Sequence, residues 1–216
     1  MATTRLPLSR DRILQAALEL VDESGLDALT MRKLGQALGF EAMSLYNHVA
    51  NKDDVIDGML DLVLAESEAP ARAGDWASAI RASAISVHDA LHRHPWAVNV
   101  LFSPDRVRPA RLRYMESLLA TLREGGLSAD ATYTAYHVLD AHIFGFSLWA
   151  ASHTMSETEA ANIKETVDRV LAGEEYQYLR EHAEQHFGDG PYKNVSAFEL
   201  GLDLILDGLK NLHPTA

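Results

Sequence analysis

The sequence predicts an all-α protein in which a three-helix helix-turn-helix head precedes a larger helical domain. Three observations support this fold class. Apolar residues recur at three- and four-residue spacing through most of the 216 residues. No stretch combines sustained alternation of apolar and polar residues with β-branched residues and hairpin signals. Helix-capping residues precede the apolar runs, and glycine or proline follows them.

Three helices are predicted within the first fifty residues. Ser9 can cap a helix whose apolar stripe ends near Gly25, and Thr30 can cap a short helix that Gly39 ends. A second short helical segment follows at about residues 43–49. Two short helices joined by a tight glycine turn are typical of a helix-turn-helix.

The next helix begins at Asn51, and Pro70 and Gly74 interrupt the pattern. We assign residues 1–52 to the head and residues 53–216 to the second domain. Further helices are predicted at about residues 75–94, 95–102, 104–124 and 128–153. Two more begin with capping-box pairs, Ser156 with Glu159 and Ser196 with Glu199. Residues 188–194 are predicted to form a loop.

The composition argues against several classes of protein. The chain contains no cysteine, so disulfides, thiolate zinc sites and cysteine nucleophiles are excluded. No apolar run approaches membrane-spanning length, and the first residues lack the apolar core of a secretory signal, so we expect a cytoplasmic protein. No catalytic triad order, carboxylate pair, phosphate loop or dinucleotide glycine pattern stands out, so we expect neither an enzyme nor a cofactor.

The formal net charge of -12 is distributed unevenly. Residues 1–52 contain six Lys and Arg against six Asp and Glu, whereas the remainder contains 13 against 25. Phosphate backbones reward Lys and Arg, so an acidic chain is a poor general binder of nucleic acid. A neutral head on an acidic body nevertheless suits a small DNA-binding unit attached to a domain that repels DNA.

The run LTMRKLGQALGFEAMSLYNHVANKDDVI, residues 29–56, has the order needed for reading the DNA major groove: a supporting helix, a glycine turn and a second helix with a polar and aromatic face. The expected buried side consists of Leu34, Ala37, Phe40, Leu45 and Val49. The expected contacts to phosphates or base edges are Thr30, Arg32, Lys33, Ala42, Met43, Ser44, Tyr46, Asn47, His48 and Lys52. From the residues alone, a helical hairpin that only packs is an open alternative.

This run resembles the DNA-binding head of the tetracycline-repressor family in its pattern LT-x-RKL-x-x-x-LG followed by SLY-x-H-x-x-NK-x-x-aliphatic. Near the far end, FELGLDLILDGLKNL resembles the last helix of the tetracycline repressor's own subgroup. The resemblance implies DNA contacts from Arg32, Ala42, Met43, Ser44, Tyr46, Asn47, His48 and Lys52. It also implies repression that a ligand releases.

The helices at residues 128–153 and 196–212 are too apolar to leave one whole face in water. The family resemblance implies that they pair with their symmetry mates in a four-helix dimer interface. Gly145, Gly201 and Gly208 would permit close approach there. An ordinary monomeric core is the alternative that the pattern leaves open.

The middle of the chain supplies the aromatic surface and hydrogen-bonding tips that small-molecule pockets use. The candidate ligand-binding residues are Trp96, Asn99, Phe102, His137, His142, Phe146, Trp149 and His153. His137 and His142 lie five residues apart and do not share a helix face cleanly, so we expect no metal site. In the tetracycline repressor a histidine binds the drug's magnesium, and alignment by position puts Val100 there, so the resemblance implies a different effector.

Together these observations predict a ligand-responsive transcriptional repressor without a membrane segment. It would bind a palindromic DNA operator as a homodimer and leave it when a small aromatic or amphipathic effector binds. The alternative is a helical dimeric protein, structural or small-molecule-binding, without specific DNA binding.

Overall fold

The computed structural model describes residues 7–70, 74–103, 106–152, 157–171, 173–187 and 196–211. The regular structure of these ranges is entirely helical, which confirms the predicted all-α fold class. The α-helices are α1 (Arg10–Ser24), α2 (Met31–Leu38), α3 (Ala42–Leu45), α4 (Lys52–Ala65), α5 (Trp76–Arg93), α6 (Trp96–Leu101), α7 (Pro109–Glu124), α8 (Ala129–Ser152), α9 (Glu157–Val170), α10 (Gln177–Phe187) and α11 (Ala197–Lys210).

The head consists of α1, α2 and α3. Ser9 Oγ accepts a hydrogen bond from the Arg12 amide at 3.3 Å, and Thr30 Oγ1 accepts one from the Lys33 amide at 3.1 Å, so both predicted caps are present. Gly39 ends α2 in the left-handed conformation, with φ of 74°. The core of the head is formed by Ile13, Leu14, Ala17, Leu18, Val21, Leu29, Leu34, Leu38, Leu45 and Val49.

Helix α4 joins the head to the body. Asn51 Oδ1 caps it by accepting from the Asp54 amide at 2.9 Å. The helix packs against α1 on the head side and against α5, α6 and α7 on the body side. Val55, Met59 and Val63 are fully buried between them. The cores of head and body are therefore one continuous hydrophobic cluster.

Helix α8 is the centre of the body. It packs against α5, α6, α7 and α11, and α5 also contacts α7 and α11. Leu139, Ile143 and Phe144 of α8 are buried among these helices. Helices α5, α6, α7 and α11 thus take their positions largely from α8.

Several boundaries differ from the sequence-based expectations. The helical segment expected at residues 43–49 is helical only through Leu45 and then continues as turns. Helix α7 begins at Pro109 rather than near residue 104, because proline favours the first helical turn. The break between α9 and α10 was not predicted. Ser156 and the loop expected at residues 188–194 lie outside the described residues.

One expectation for the head core is wrong. Ala37 was assigned to the buried side of α2, but it is exposed. The buried arc of α2 consists of Leu34, Gly35 and Leu38, and at 3.6 residues per turn Ala37 lies outside that arc.

None of the described helices has the length and apolar character needed to cross a bilayer.

Candidate nucleic-acid interface and effector site

The turn between α2 and α3 sets the angle of the second helix of the helix-turn-helix. The Phe40 amide donates to Gly35 O at 2.8 Å, which folds the chain back after Gly39. Leu45 and Val49 are buried and hold α3 and the following turn against the head core. The opposite side of α3 consequently faces solvent.

That exposed side carries most of the expected DNA-contacting side chains. Met43 is 75% exposed and Tyr46 is 43% exposed. Asn47 and His48 are also exposed, whereas Ala42 and Ser44 are half-buried. A thioether, a phenol, an amide and an imidazole therefore project from one short segment, and these groups suit contacts to base edges and phosphates.

Three cations border this segment. Arg32 and Lys33 are exposed on α2, and Lys52 is exposed at the start of α4. None of the three forms an ion pair with any residue that the structure describes. Their positive charge is consequently available to phosphate oxygens.

Asp54 organises the turn that leads from α3 into α4. Its carboxylate accepts two hydrogen bonds from the Arg10 guanidinium, at 2.7 and 2.9 Å, and one from the Ala50 amide at 2.8 Å. The Arg10 hydrogen bond, followed by the Ala50 hydrogen bond, lowers the pKa of Asp54 below its ordinary value. Sequence analysis did not single out Asp54, although its place three residues after the cap Asn51 is a capping-box position.

The candidate ligand-binding residues fall into separate regions of the body. His142, Phe146 and Trp149 lie on α8 beside Phe198 of α11. The His142 and Phe198 rings stack with centroids 5.0 Å apart, and His142 Nε2 donates to Phe198 O at 2.9 Å. A Cβ at Gly201 would lie 2.6 Å from His142 Cε1, so glycine makes this approach possible. In this structure the His142 ring thus joins α8 to α11.

A second histidine, missed by the sequence analysis, completes this cluster. His88 of α5 also stacks on Phe198, the ring that His142 contacts, with ring centroids 4.0 Å apart. Burial lowers the pKa of His88, which favours the neutral ring. The cluster is therefore an aromatic contact of α5, α8 and α11.

Trp96 and Asn99 lie on α6, away from that cluster. With Leu148 and Ser152 of α8 they line a shallow cleft of about 260 Å³. Trp96 Nε1 also donates to Asp22 Oδ1 of α1 at 2.8 Å, so this side chain joins head and body.

Phe102 lies at a third location, next to an arginine that the sequence analysis did not single out. The Arg111 guanidinium carbon lies 4.8 Å from the Phe102 ring centroid and 4.7 Å from that of Phe144. Arg111 Nη2 donates to the Asp140 carboxylate at 2.6 Å and to the Tyr136 hydroxyl at 3.0 Å. Arg111 Nη1 is buried without a hydrogen-bond partner, which leaves a donor beside a side chain that is 46% exposed.

The last two candidates do not join these groups. His137 is exposed, and its Nδ1 donates to Tyr133 O one turn earlier at 2.8 Å. His153 lies outside the described residues. The structure therefore brings His142, Phe146 and Trp149 together, pairs Trp96 with Asn99, and places Phe102 and His137 apart from both.

Helices α4 and α7 border a further cleft, of about 430 Å³. Leu64 and Ser67 form one side and Ala110 and Tyr114 the other. Burial raises the pKa of Tyr114, so its phenol stays protonated as a hydrogen-bond donor. The cleft is mostly apolar and adjoins the helix that carries the head.

No group of three or more His, Asp or Glu side chains suited to a metal occurs within the described ranges. Val100 is buried in α6 at 5% exposure and offers no ligand atom.

The outer faces of α8 and α11 are unusually apolar. Leu204 is 67% exposed, Leu200 is 54% exposed and Leu148 is 45% exposed. The inner face of α11 is buried through Phe198 and Leu202, so this helix is apolar on both sides. Such a surface is typical of a protein-protein interface.

Comparison with known proteins identifies two family models that together span most of the chain. Residues 13–59 match the family described as "Bacterial regulatory proteins, tetR family". Residues 69–213 match the family described as "Tetracyclin repressor-like, C-terminal domain".

Individual relatives agree with these matches. The HTH-type transcriptional repressor DrrR1 of Streptomyces coeruleorubidus is 32% identical over 95% of this chain and 78% of its own length. The tetracycline repressor protein class D of Escherichia coli is 31% identical over 92% of this chain and 93% of its own length. The crystal structure of ActR from Streptomyces coelicolor in complex with actinorhodin has 29% identity and a TM-score of 0.75, covering 100% of this chain and 99% of that one.

Proposed function

Because the chain belongs to the TetR family of bacterial regulatory proteins, we propose that it is a repressor that binds a palindromic operator as a homodimer and is released by a small aromatic or amphipathic effector. In this proposal residues 1–52 bind DNA, and residues 53–216 bind the effector and dimerise. Like its relatives, the chain is a transcriptional regulator. Its family is one of transcriptional regulators rather than of enzymes.

The observation that carries the DNA-binding proposal is the exposed face of α3 and its flanking cations. Tyr46, Asn47 and His48 project from a buried support, and Lys33 and Lys52 lie nearby without ion-pair partners among the described residues. We propose that the contacts are made by Thr30, Arg32, Lys33, Ala42, Met43, Ser44, Tyr46, Asn47, His48 and Lys52. Few cations take part, so specificity depends on base contacts and on the geometry of two heads spaced by one DNA turn, about 34 to 36 Å.

The homodimer proposal rests on the apolar faces of α8 and α11. Pairing these faces across a two-fold axis would bury Leu200 and Leu204 in a four-helix interface. Both heads would then be carried on one rigid base, as a palindromic operator requires.

The effector proposal keeps the aromatic and polar residues of the body as the candidate site: Trp96, Asn99, Phe102, His137, His142, Phe146, Trp149 and His153. Among the described members, Phe102 is best placed, because its exposed ring lies against the guanidinium of Arg111, whose Nη1 is buried and unpartnered. An aromatic ligand with a carbonyl or anionic oxygen would stack on the ring and accept this hydrogen bond. ActR, 29% identical, is a relative whose structure contains the small molecule actinorhodin.

The DNA-binding proposal is tested with duplexes from the gene's own upstream region in a gel-shift assay. We expect a palindrome there to be bound, and Tyr46→Ala to weaken that binding while the protein elutes as before from a sizing column. Failure to bind any palindrome from that region at low salt would contradict the proposal and favour a helical dimer without specific DNA binding.

The effector proposal is tested by a thermal-shift screen of quinones, phenols and aromatic acids. A ligand of the folded state raises the melting temperature. A hit should lose most of its shift in Phe102→Ala and Arg111→Met but keep it in Tyr178→Ala, because Tyr178 is 81% exposed on α10 and is not among the candidate residues. The hit should also dissociate the protein from the duplex. Equal shifts in all variants would place the effector elsewhere.

A further inference from the structure

His94 lies buried between the head and the body, at 7% exposure. Its Nδ1 is 2.8 Å from Asp22 Oδ1 of α1, and its Nε2 is 3.1 Å from Glu66 Oε1 at the end of α4. Trp96 Nε1 donates to the same Asp22 oxygen at 2.8 Å. One imidazole therefore connects the first helix of the head, the connecting helix and the body.

The chemistry of this bridge requires both ring nitrogens to donate. An ionised carboxylate only accepts hydrogen bonds, and a neutral imidazole has only one N–H. The imidazolium form satisfies Asp22 and Glu66 together, whereas loss of its proton leaves one carboxylate facing a nitrogen lone pair. The bridge is thus strongest when His94 is protonated.

The charged groups around His94 come from three elements. The charged groups that face His94 are Asp22 from α1 and Glu66 from α4, and Arg93 on its own helix binds the same Glu66 at 2.8 Å. Helix α6 contributes Trp96 and no charged residue. Burial tends to raise the pKa of Glu66, but hydrogen bonds from Arg93 and His94 outweigh it and lower the pKa. The carboxylate stays ionised and needs its donors.

The backbone holds the ring on the body side. His94 ends α5, its amide donates to Ala90 O at 3.0 Å, and the Pro95 that follows leads directly into α6. The corner between α5 and α6 is consequently short and stiff. Asp22 belongs to α1 of the head, and Glu66 lies at the end of α4, which joins the head to the body.

We propose that His94 is a positioning residue for DNA binding: its hydrogen bonds to Asp22 and Glu66 fix the orientation of the head relative to the body. This inference rests on the proposed repressor function only where it predicts an effect on operator binding. The bridge itself is a property of one chain and is testable without DNA.

The first test measures the head-body distance directly. The chain has no cysteine, so Gln36→Cys on α2 and Glu116→Cys on α7, both exposed, can be spin-labelled selectively. The labelled chain is diluted with unlabelled wild-type chain, so that distances within one protomer dominate. We expect one narrow distribution in the wild type and a broader or displaced one in His94→Gln.

Two variants separate positioning from loss of fold. His92→Gln changes an exposed histidine two residues away and should behave like the wild type. Asp22→Asn keeps an acceptor for Trp96 but removes the charged acceptor of His94 Nδ1, so it should broaden the distribution. A His94→Gln distribution as narrow as that of the wild type, in a protein with an unchanged helical circular dichroism spectrum, would overturn the proposal.

The second test uses a palindromic duplex selected by the wild-type protein from a random library. Coupling between sites in regulatory proteins is commonly about 5- to 150-fold, and we expect His94→Gln to weaken binding at pH 6 by about tenfold. The informative quantity is the affinity ratio of wild type to variant, which should be about ten for His94→Gln and close to one for His92→Gln. Equal ratios for the two variants would overturn the role of His94. If the wild type selects no duplex, the DNA-binding proposal fails while the distance measurement still decides the bridge.

Discussion

Replacing Leu204 with aspartate tests the proposed dimer face with little disturbance of the protomer. Leu204 is 67% exposed on α11 in the single chain. Complete burial of a leucine is worth about 1.5 to 3 kcal/mol, so burying the remaining two thirds is worth about 1 to 2 kcal/mol. The two-fold axis repeats the residue, and Leu204→Asp would forfeit about 2 to 4 kcal/mol from both copies.

The introduced charge adds a further penalty, because an unpaired carboxylate in an interface costs several kcal/mol more. A total of at least about 4 kcal/mol corresponds to about a thousandfold increase in the dimer dissociation constant. The protomer itself should change by no more than about 0.5 kcal/mol, since surface substitutions rarely do more.

The assay is sedimentation equilibrium over a concentration series, with circular dichroism to monitor the fold. Leu112→Asp is the matched control, because Leu112 is 53% exposed on α7, outside the proposed face. The reasoning is refuted if Leu204→Asp dimerises as tightly as the wild type. Equal dissociation of the Leu112 variant would also refute it, since the effect would then not belong to α11.

Three other outcomes follow from the structure. Tyr46→Ala should weaken operator binding by about tenfold, as expected for the loss of one contact of about 1 to 3 kcal/mol, without altering sedimentation; dissociation into monomers would contradict it. Asp54→Asn should destabilise the fold by about 1 to 2 kcal/mol at pH 7, because Arg10 loses a charge-assisted partner. The lowered pKa of Asp54 means that its carboxylate stabilises the fold above the ordinary pKa of about 3.9 and that this is lost as pH falls further. Urea melts of both proteins should therefore converge in acid; a constant gap would contradict the assignment. With Val100 buried in α6, tetracycline with Mg²⁺ should give the same melting temperature with and without EDTA, and a magnesium-dependent rise would refute the inference from that position.

Features that depend on neighbouring residues were accessible from the sequence. The caps Ser9, Thr30 and Asn51 are where expected, because a side chain that bonds an amide three residues ahead is a local pattern. Gly39 likewise ends α2, since a left-handed residue strongly favours glycine. These capping and glycine patterns were therefore sufficient to predict the position of the helix-turn-helix.

Features that depend on how the helices pack together were not accessible. His94 and Asp22 are 72 residues apart, and Arg111 and Asp140 are 29 apart, so no spacing rule pairs them. The ligand-binding candidates were chosen by residue type, but the rotation of each helix decides which side chains meet. On α8, Leu139 is buried while His137, two residues earlier, is exposed.

The acidic excess of α4 also becomes intelligible only in the fold. Asp53, Asp57 and Asp61 are spaced by four residues and therefore form one stripe. Arg106 binds Asp53 and Asp57, at 2.9 and 3.0 Å, and Arg113 of α7 binds Asp61. The stripe is thus neutralised by the segment that leads into α7 and by α7 itself.

The consequence of this stripe concerns how an effector can move the head. Arg108 is 6% exposed and binds Asp57 at 2.9 Å, so it is the buried member of the set. Breaking a buried ion pair costs about 3 to 5 kcal/mol when one charge is left unpaired, more than the coupling of about 1 to 3 kcal/mol typical between two sites. Separating α4 from α7 would therefore cost an effector more free energy than the coupling between its site and the head supplies. We therefore expect the two helices to move as one unit in the proposed response to an effector.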